Sequence, residues 1–266
     1  MELQGRLKNI ERDGRGLAAI SYDPVSVLAD FTRRRGITFP LLSDEGSATI
    51  KAFGILNTTV APTNTAQYGI PFPGTFFLSR DAVVTSRVFE KAYQERDTIS
   101  SMTVRLGGQI VAPATKIAAP HLDVTTYTTD QTVAPGTHFS LVFDLKAARG
   151  VHVYAPGVSG YRPVTVRLAP QPGLVVRDAH YPASVDYFFK PLNEHVNVFA
   201  GAFRIIQDVA IDASRESEAM LKERAAFTIQ GSLDYQACDD RICFTPQSVP
   251  VSWTVSLKAL DRERRQ

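Results

Sequence analysis

The sequence predicts two domains of different class, an alternating α/β domain over residues 1–108 and an all-β domain over residues 121–260. Three observations carry this. The first hundred residues alternate segments of helical and strand periodicity. Beyond residue 120 the chain breaks into short alternating runs punctuated by Gly, Pro, Asn and Asp. Between the two, residues 109–120 are rich in Ala and Pro and read as a linker. A chain of 266 residues is long enough for two such cores.

In the first domain, Leu3, Leu7 and Ile10 recur at helical spacing, and Asp13-Gly14 ends that helix. Leu17 to Ile20 is a short apolar run that reads as a buried parallel strand. Asp23-Pro24 starts a helix, a cap followed by a residue of fixed φ, with Val27, Leu28 and Phe31 inward and Gly36 as the stop. Phe39 to Leu42 is a brief strand, and Asp44 to Phe53 a helix. Asn57 to Phe72 is uncharged and broken by Pro62, Gly69 and Pro71, so it is a long loop. Thr75 to Leu78 and Val83 to Phe89 form a hairpin about Ser79-Arg80-Asp81. A last helix starts at Asp97, with Ile99, Met102 and Leu106 inward, and stops at Gly107-Gly108. Arg33-Arg34-Arg35 is a solvated helix end, favourable near the negative pole of the dipole.

The second half is strand after strand: Phe139 to Leu145, Val164 to Leu168, Ala226 to Leu233 and Val251 to Leu257. Ser214 to Glu223 is either a helix or an exposed loop, Trp253 belongs to the core, and the polar tail 261–266 is solvated and frayed.

Composition narrows the function classes. A net charge of +2 gives no reason to expect nucleic acid or a membrane surface as partner. No apolar run is long enough to span a bilayer, so no membrane insertion is expected. The start of the chain has no export signal, because Glu2, Arg6 and Lys8 interrupt any apolar stretch. Five histidines show no metal-ligand spacing, and no cofactor is called for. Asp178 with His180 and Glu194 with His195 are adjacent acid–base pairs, with no serine nucleophile motif to use them. The two cysteines, Cys238 and Cys243, are too few for a disulfide scaffold or a four-thiolate metal site.

The element order of the first domain, with Ala19-Ile-Ser-Tyr-Asp-Pro, Gly36-Ile-Thr-Phe-Pro-Leu-Leu-Ser-Asp and Pro73-Gly-Thr-Phe-Phe-Leu, resembles the thioredoxin-fold redoxins of the alkyl hydroperoxide reductase and thiol-specific antioxidant (AhpC/TSA) group over residues 1 to 106. The resemblance implies a cis peptide bond ahead of Pro73, whose freed backbone groups would pair with a substrate chain. It also implies a catalytic thiol at the start of the first core helix, after a central strand. Residues 1 to 237 hold no cysteine. No other side chain replaces a thiolate nucleophile, so no peroxidase activity is expected of this chain. A domain lacking its first core strand loses ladder partners on both sides, so the product is expected to be longer. The alternative is a truncated pseudo-redoxin that serves as a scaffold.

Tyr235-Gln-Ala-Cys-Asp-Asp-Arg-Ile-Cys-Phe-Thr-Pro, followed by Val249-Pro-Val-Ser-Trp-Thr-Val and supported by Val151-His-Val-Tyr-Ala-Pro-Gly, resembles the amino-terminal domain of the thiol:disulfide interchange protein DsbD. That resemblance implies an immunoglobulin-like sandwich. It also implies that Cys238 and Cys243 form a reversible disulfide passing electrons to and from a thioredoxin-like protein partner. Tyr235 and Phe244 flank the pair and are expected to shield it. Four intervening residues allow the cysteine Cα atoms to approach as a disulfide requires. Closing so short a loop stabilises by only about 2 kcal/mol, which favours a labile bond over a staple. An inert disulfide, or two free thiols, stays open beside it. So does a non-enzymatic reading, a scaffold fused to a partner-binding sandwich. The resemblance implies the periplasm, whereas this amino terminus taken at face value implies the cytoplasm. Oligomeric state has no signal in the sequence.

Overall fold

The computed structural model describes residues 2–12, 14–65, 67–89, 96–189 and 193–258. Asp13, the tail 261–266 and the last residues expected of the β domain lie outside the described residues. The chain divides into two compact units, Met1–Ile99 and Ser100–Gln266. Among the described residues no helix is long and apolar enough to cross a membrane.

In the first unit the helix Glu2–Arg12 precedes the strand Ala19–Ser21, and the helix Val25–Arg35 precedes the strand Leu41–Ser43. The two strands pair in parallel, Ile20 opposite Leu42. One face of this pair packs Ala19 and Leu41 with Leu7, Phe31, Ile37 and Phe39. On the other face Ile20 and Leu42 are exposed. Gly36 ends the second helix with φ 62°, in the left-handed region that glycine tolerates. Asp23 does not cap that helix, because its carboxylate accepts from the Ser21 hydroxyl and Pro24 takes the cap position. The helix expected from Asp44 is shorter, Ala48–Ala52, and the Asp44 carboxylate accepts from the N–H groups of Thr49 and Ile50. The strands Gly74–Leu78 and Val84–Phe89 make the expected hairpin. Gly74 is required there: the Phe89 ring lies across it, 2.2 Å from where a Cβ would stand. Among the described residues the hairpin and the parallel pair are separate two-stranded sheets.

The second unit begins earlier than the sequence suggested. In the helix Ile99–Arg105, Val104 packs with Tyr127, Val142 and Ile206 of the β domain. The Ser101 hydroxyl meets that of Ser140 at 2.6 Å, and Arg105 pairs with Asp208. These buried contacts place the helix with the second unit rather than with residues 1–108. The linker is likewise shorter, because Thr115–Ala119 is a strand paired with Leu122–Thr128. Its Ala-rich composition hides an edge strand whose outer face needs no large side chains.

Among the described residues three sheets build the second unit. Five of its strands run antiparallel in the order Leu174–His180, Ala202–Ile211, Thr137–Ala147, Leu122–Thr128, Thr115–Ala119. A second sheet orders Thr165–Leu168, Ala226–Tyr235, Gln247–Leu257 and Thr132–Val133. The third orders Val185–Phe189, Glu194–Ala200, His152–Tyr154 and Ala237–Cys238. All three contribute to one core, which period-2 alternation dictates: Val249, Val251, Trp253 and Val255 point in from one strand, with the exposed Pro250, Ser252 and Thr254 between them. Trp253 meets the Phe143 ring edge-on at 5.5 Å and donates its indole N–H to Thr126 Oγ1. Ser214 to Glu223 contains a helix, Arg215–Leu221, capped by the Ser214 hydroxyl.

Candidate functional site

Where the chain passes from the second sheet to the third, alternation sends neighbouring residues to opposite faces. Tyr235 and Ala237 point into the core. Cys238 points to the outer face of the third sheet. Its partner strand is His152–Tyr154, with Val153 opposite Ala237 and His152 opposite Cys238. Tyr154, Val198 and Cys238 form a cluster on this outer face, with Tyr161, Tyr187 and Val196 packed against it.

A disulfide joins Cys238 to Cys243. Phe244 N–H donates to Ala237 O at 2.8 Å and Asp239 N–H to Ile242 O at 3.0 Å, so the cysteines sit opposite each other at the base of a small hairpin. The Asp239 carboxylate accepts from the N–H groups of Arg241 and Ile242, at 2.8 Å each. Those donors hold its carboxyl below the usual carboxylate range. The two cysteines differ in exposure. Cys238 is 1% exposed, whereas Cys243 belongs to the exposed part of the loop.

Aromatic groups enclose the buried side of this disulfide. Tyr154 Oη stands 3.3 Å from Cys243 Sγ. The Tyr154 ring stacks on Tyr161 at 4.1 Å, and the Tyr161 hydroxyl donates to Glu194. His152, buried, lies 4.3 Å from the Tyr187 ring and 5.6 Å from that of Tyr154. Burial, followed by the Glu194 and Tyr187 charges, pushes the Tyr154 hydroxyl up to about 12, so it stays a donor. Burial also lowers the His152 imidazole, and the nearby Asp239 carboxylate opposes that shift.

The expected shielding residues divide. Phe244 is half-buried and stacks on His121 at 3.8 Å, bracing the base of the cysteine hairpin. Tyr235 lies on the core side of the strand instead, its hydroxyl donating to Pro120 O at 2.6 Å. On the buried side it is Tyr154 whose hydroxyl meets the Cys243 sulfur. Pro73 belongs to the first unit, and its peptide bond is trans rather than cis. An X–Pro bond favours trans by about 0.5–1 kcal/mol, and the strand that follows begins only at Gly74. The adjacent acid–base pairs of the sequence also resolve differently: His180 pairs with Asp208, His195 with Asp186, and Glu194 with Tyr161. Among the described residues no group of three His, Cys, Asp or Glu side chains is placed to hold a metal ion.

Residues 1–87 match the AhpC/TSA family, and residues 122–252 match the family described as thiol:disulfide interchange protein DsbD, N-terminal. The two matches fall on different parts of the chain and do not overlap. Comparison with curated proteins gives no match. Among solved structures, the chain is similar to the N-terminal periplasmic domain of ScsB from Proteus mirabilis, at 12% identity and a TM-score of 0.36, over 53% of this chain and 51% of that one. It thus spans about half the length of that structure. It is also similar to the DsbD n-terminal domain of Neisseria meningitidis in the reduced form, at 11% identity and a TM-score of 0.31, over 44% of this chain and 81% of that one. The cysteine hairpin, His152 and Tyr154 all fall inside the DsbD-type segment, and the AhpC/TSA-type segment contains no cysteine.

Proposed function

We propose that the chain exchanges electrons with a thioredoxin-fold protein through the Cys238–Cys243 disulfide, carried on an immunoglobulin-like sandwich. The observation that carries this reading is the asymmetry of the two sulfurs: Cys243 is open to an incoming thiolate, and Cys238 is buried. Exchange needs a nucleophile to approach one sulfur in line with the bond, so the open sulfur is the one attacked. Cys243 forms the mixed disulfide, and Cys238 leaves and later returns to release the partner. Tyr154 donates to Cys243 and stabilises its thiolate once the pair is reduced. Phe244 braces the hairpin. A purely structural disulfide does not require an open sulfur.

Within the given sequence the first unit holds no thiol, so the exchange proposed here rests on Cys238 and Cys243. Two measurements test the reading. Equilibration in glutathione buffers gives the reduction potential of the pair, and a value above about −300 mV is expected of an exchanging bond. Cys238→Ser should trap a mixed disulfide at Cys243 with a thioredoxin-fold partner. A potential below that value, with no trapped adduct, identifies a structural staple and rejects exchange.

A further inference from the structure

A buried sulfur is a poor place for a negative charge, which raises a question about Cys238. To release a partner held at Cys243, Cys238 must attack as a thiolate, yet it is 1% exposed and packed among Tyr154, Val196 and Val198. Desolvation favours its neutral thiol, which does not attack. A group on the protein must take the proton as the sulfur reacts.

We propose that His152 is that proton acceptor, acting on Cys238 across the strand ladder and backed by Asp239. This rests on the exchange function proposed above. Residues directly opposite in an antiparallel pair project their side chains from the same face, with Cβ atoms about 4.5–5.5 Å apart. His152 and Cys238 are such a pair. The imidazole is anchored on that face by the Tyr187 ring at 4.3 Å. Its proton then reaches or leaves Cys238 directly or through one water. The groups that meet the imidazole are Asp239 from the cysteine hairpin, Tyr154 from its own strand and Tyr187 from the neighbouring strand. The Asp239 carboxylate acts on it and stabilises the imidazolium. Burial keeps His152 neutral until a proton arrives, as a base requires.

The steps balance. The Cys243 thiolate attacks the partner's disulfide, the Cys243–partner bond forms, and the partner's other sulfur leaves and takes a proton from solvent. Cys238 then attacks Cys243 Sγ while its proton passes to His152. The Cys238–Cys243 bond forms, the bond to the partner breaks, and the second partner thiolate takes the proton from His152. Two electrons and two protons have reached the partner, and the pair is oxidised. The reverse reaction uses the same groups in reverse order.

The test uses the full chain with oxidised glutathione as the disulfide, which separates the relay from the choice of protein partner. Reduced protein is mixed with oxidised glutathione between pH 5 and 9, and quenched samples are read by mass for the glutathione adduct at Cys243 and for the closed pair. In His152→Gln, formation of the adduct should keep its wild-type rate, which also shows that the variant is folded. Its resolution by Cys238 should slow about a hundredfold at pH 7, the lower end of a general base's contribution. The deficit should shrink at high pH, where the thiol ionises unaided. Imidazole added to His152→Ala should restore resolution. Resolution within twofold of wild type in His152→Gln overturns the relay. So does a deficit that is equal at every pH and is not restored by imidazole, which would mark His152 as packing alone. The exchange reading fails on a different result, the reduction potential, and does not depend on these rates.

Discussion

The phenol oxygen of Tyr154 stands 3.3 Å from the sulfur of Cys243, joining residues 89 positions apart. This contact is made on the outer face of a sheet whose inner face closes the main core, so the redox site has its own small buried cluster, Tyr154, Val198 and Cys238, apart from that core. The hydroxyl, pushed up to about 12, is a donor throughout the physiological range. A hydrogen bond to a charged acceptor contributes about 1.5–3 kcal/mol. Tyr154→Phe should therefore slow alkylation of reduced Cys243 by iodoacetamide at pH 7 by about tenfold or more, since the reactive form is the thiolate. An unchanged rate would mean that the phenol does not support the thiolate.

Reduction of the disulfide should leave the second unit folded. The loop between Cys238 and Cys243 is short, so opening it returns little chain entropy, about 2 kcal/mol in the loop-closure account. The core around Phe143 and Trp253 does not include the sulfurs. Urea unfolding followed by the fluorescence of Trp253, the single tryptophan, should show a midpoint lowered by that amount with unchanged slope. Loss of the cooperative transition on reduction would show a disulfide on which the fold depends.

That the two cysteines could pair was legible in the sequence, because they lie within six consecutive positions; the hairpin that holds them was not. The aromatic enclosure was not. His152 and Tyr154 reach Cys238 through a strand pairing that joins distant segments, and the alternation of Val151 and Val153 with His152 and Tyr154 shows two faces without showing that both are buried. Tyr235 was misplaced by the same period-2 rule: adjacency to a cysteine suggests a neighbour, but three positions along a strand put it on the opposite face. In the first unit the strand about Ala19 was readable as a parallel strand from its short apolar run between breakers, but its pairing with Leu41–Ser43 was not, nor was the exposure of Ile20. The helix Ile99–Arg105 was readable as a helix but not as a member of the second unit, because its pattern of inward residues does not say which core they enter.

Core packing gives a sharper expectation. Phe143 is fully buried and meets Trp253 edge-on. Phe143→Ala removes a large ring from the centre of the unit and leaves space the sheets cannot close, a change that costs about 3–5 kcal/mol. Trp253 fluorescence reports it directly. A loss under about 1 kcal/mol would show that the sheets collapse to fill the gap.

His152 also ties stability to pH in a direction fixed by its environment. Burial lowers its folded pKa below the ordinary value of 6.5, and Asp239 offsets this only in part. The unfolded chain therefore binds the proton more readily than the folded one. Stability is full above the unfolded value and falls as pH drops below about 6.5, until the folded imidazole is protonated too. His152→Phe keeps an aromatic ring beside Tyr187 and removes the titration. Urea midpoints measured from pH 8 to pH 5 should decline more steeply for wild type than for the variant, the other four histidines being common to both. Parallel curves would mean that His152 is as easily protonated in the folded protein as in the unfolded chain. The neutral base required to take the proton from Cys238 would then be scarcer in mildly acid solution.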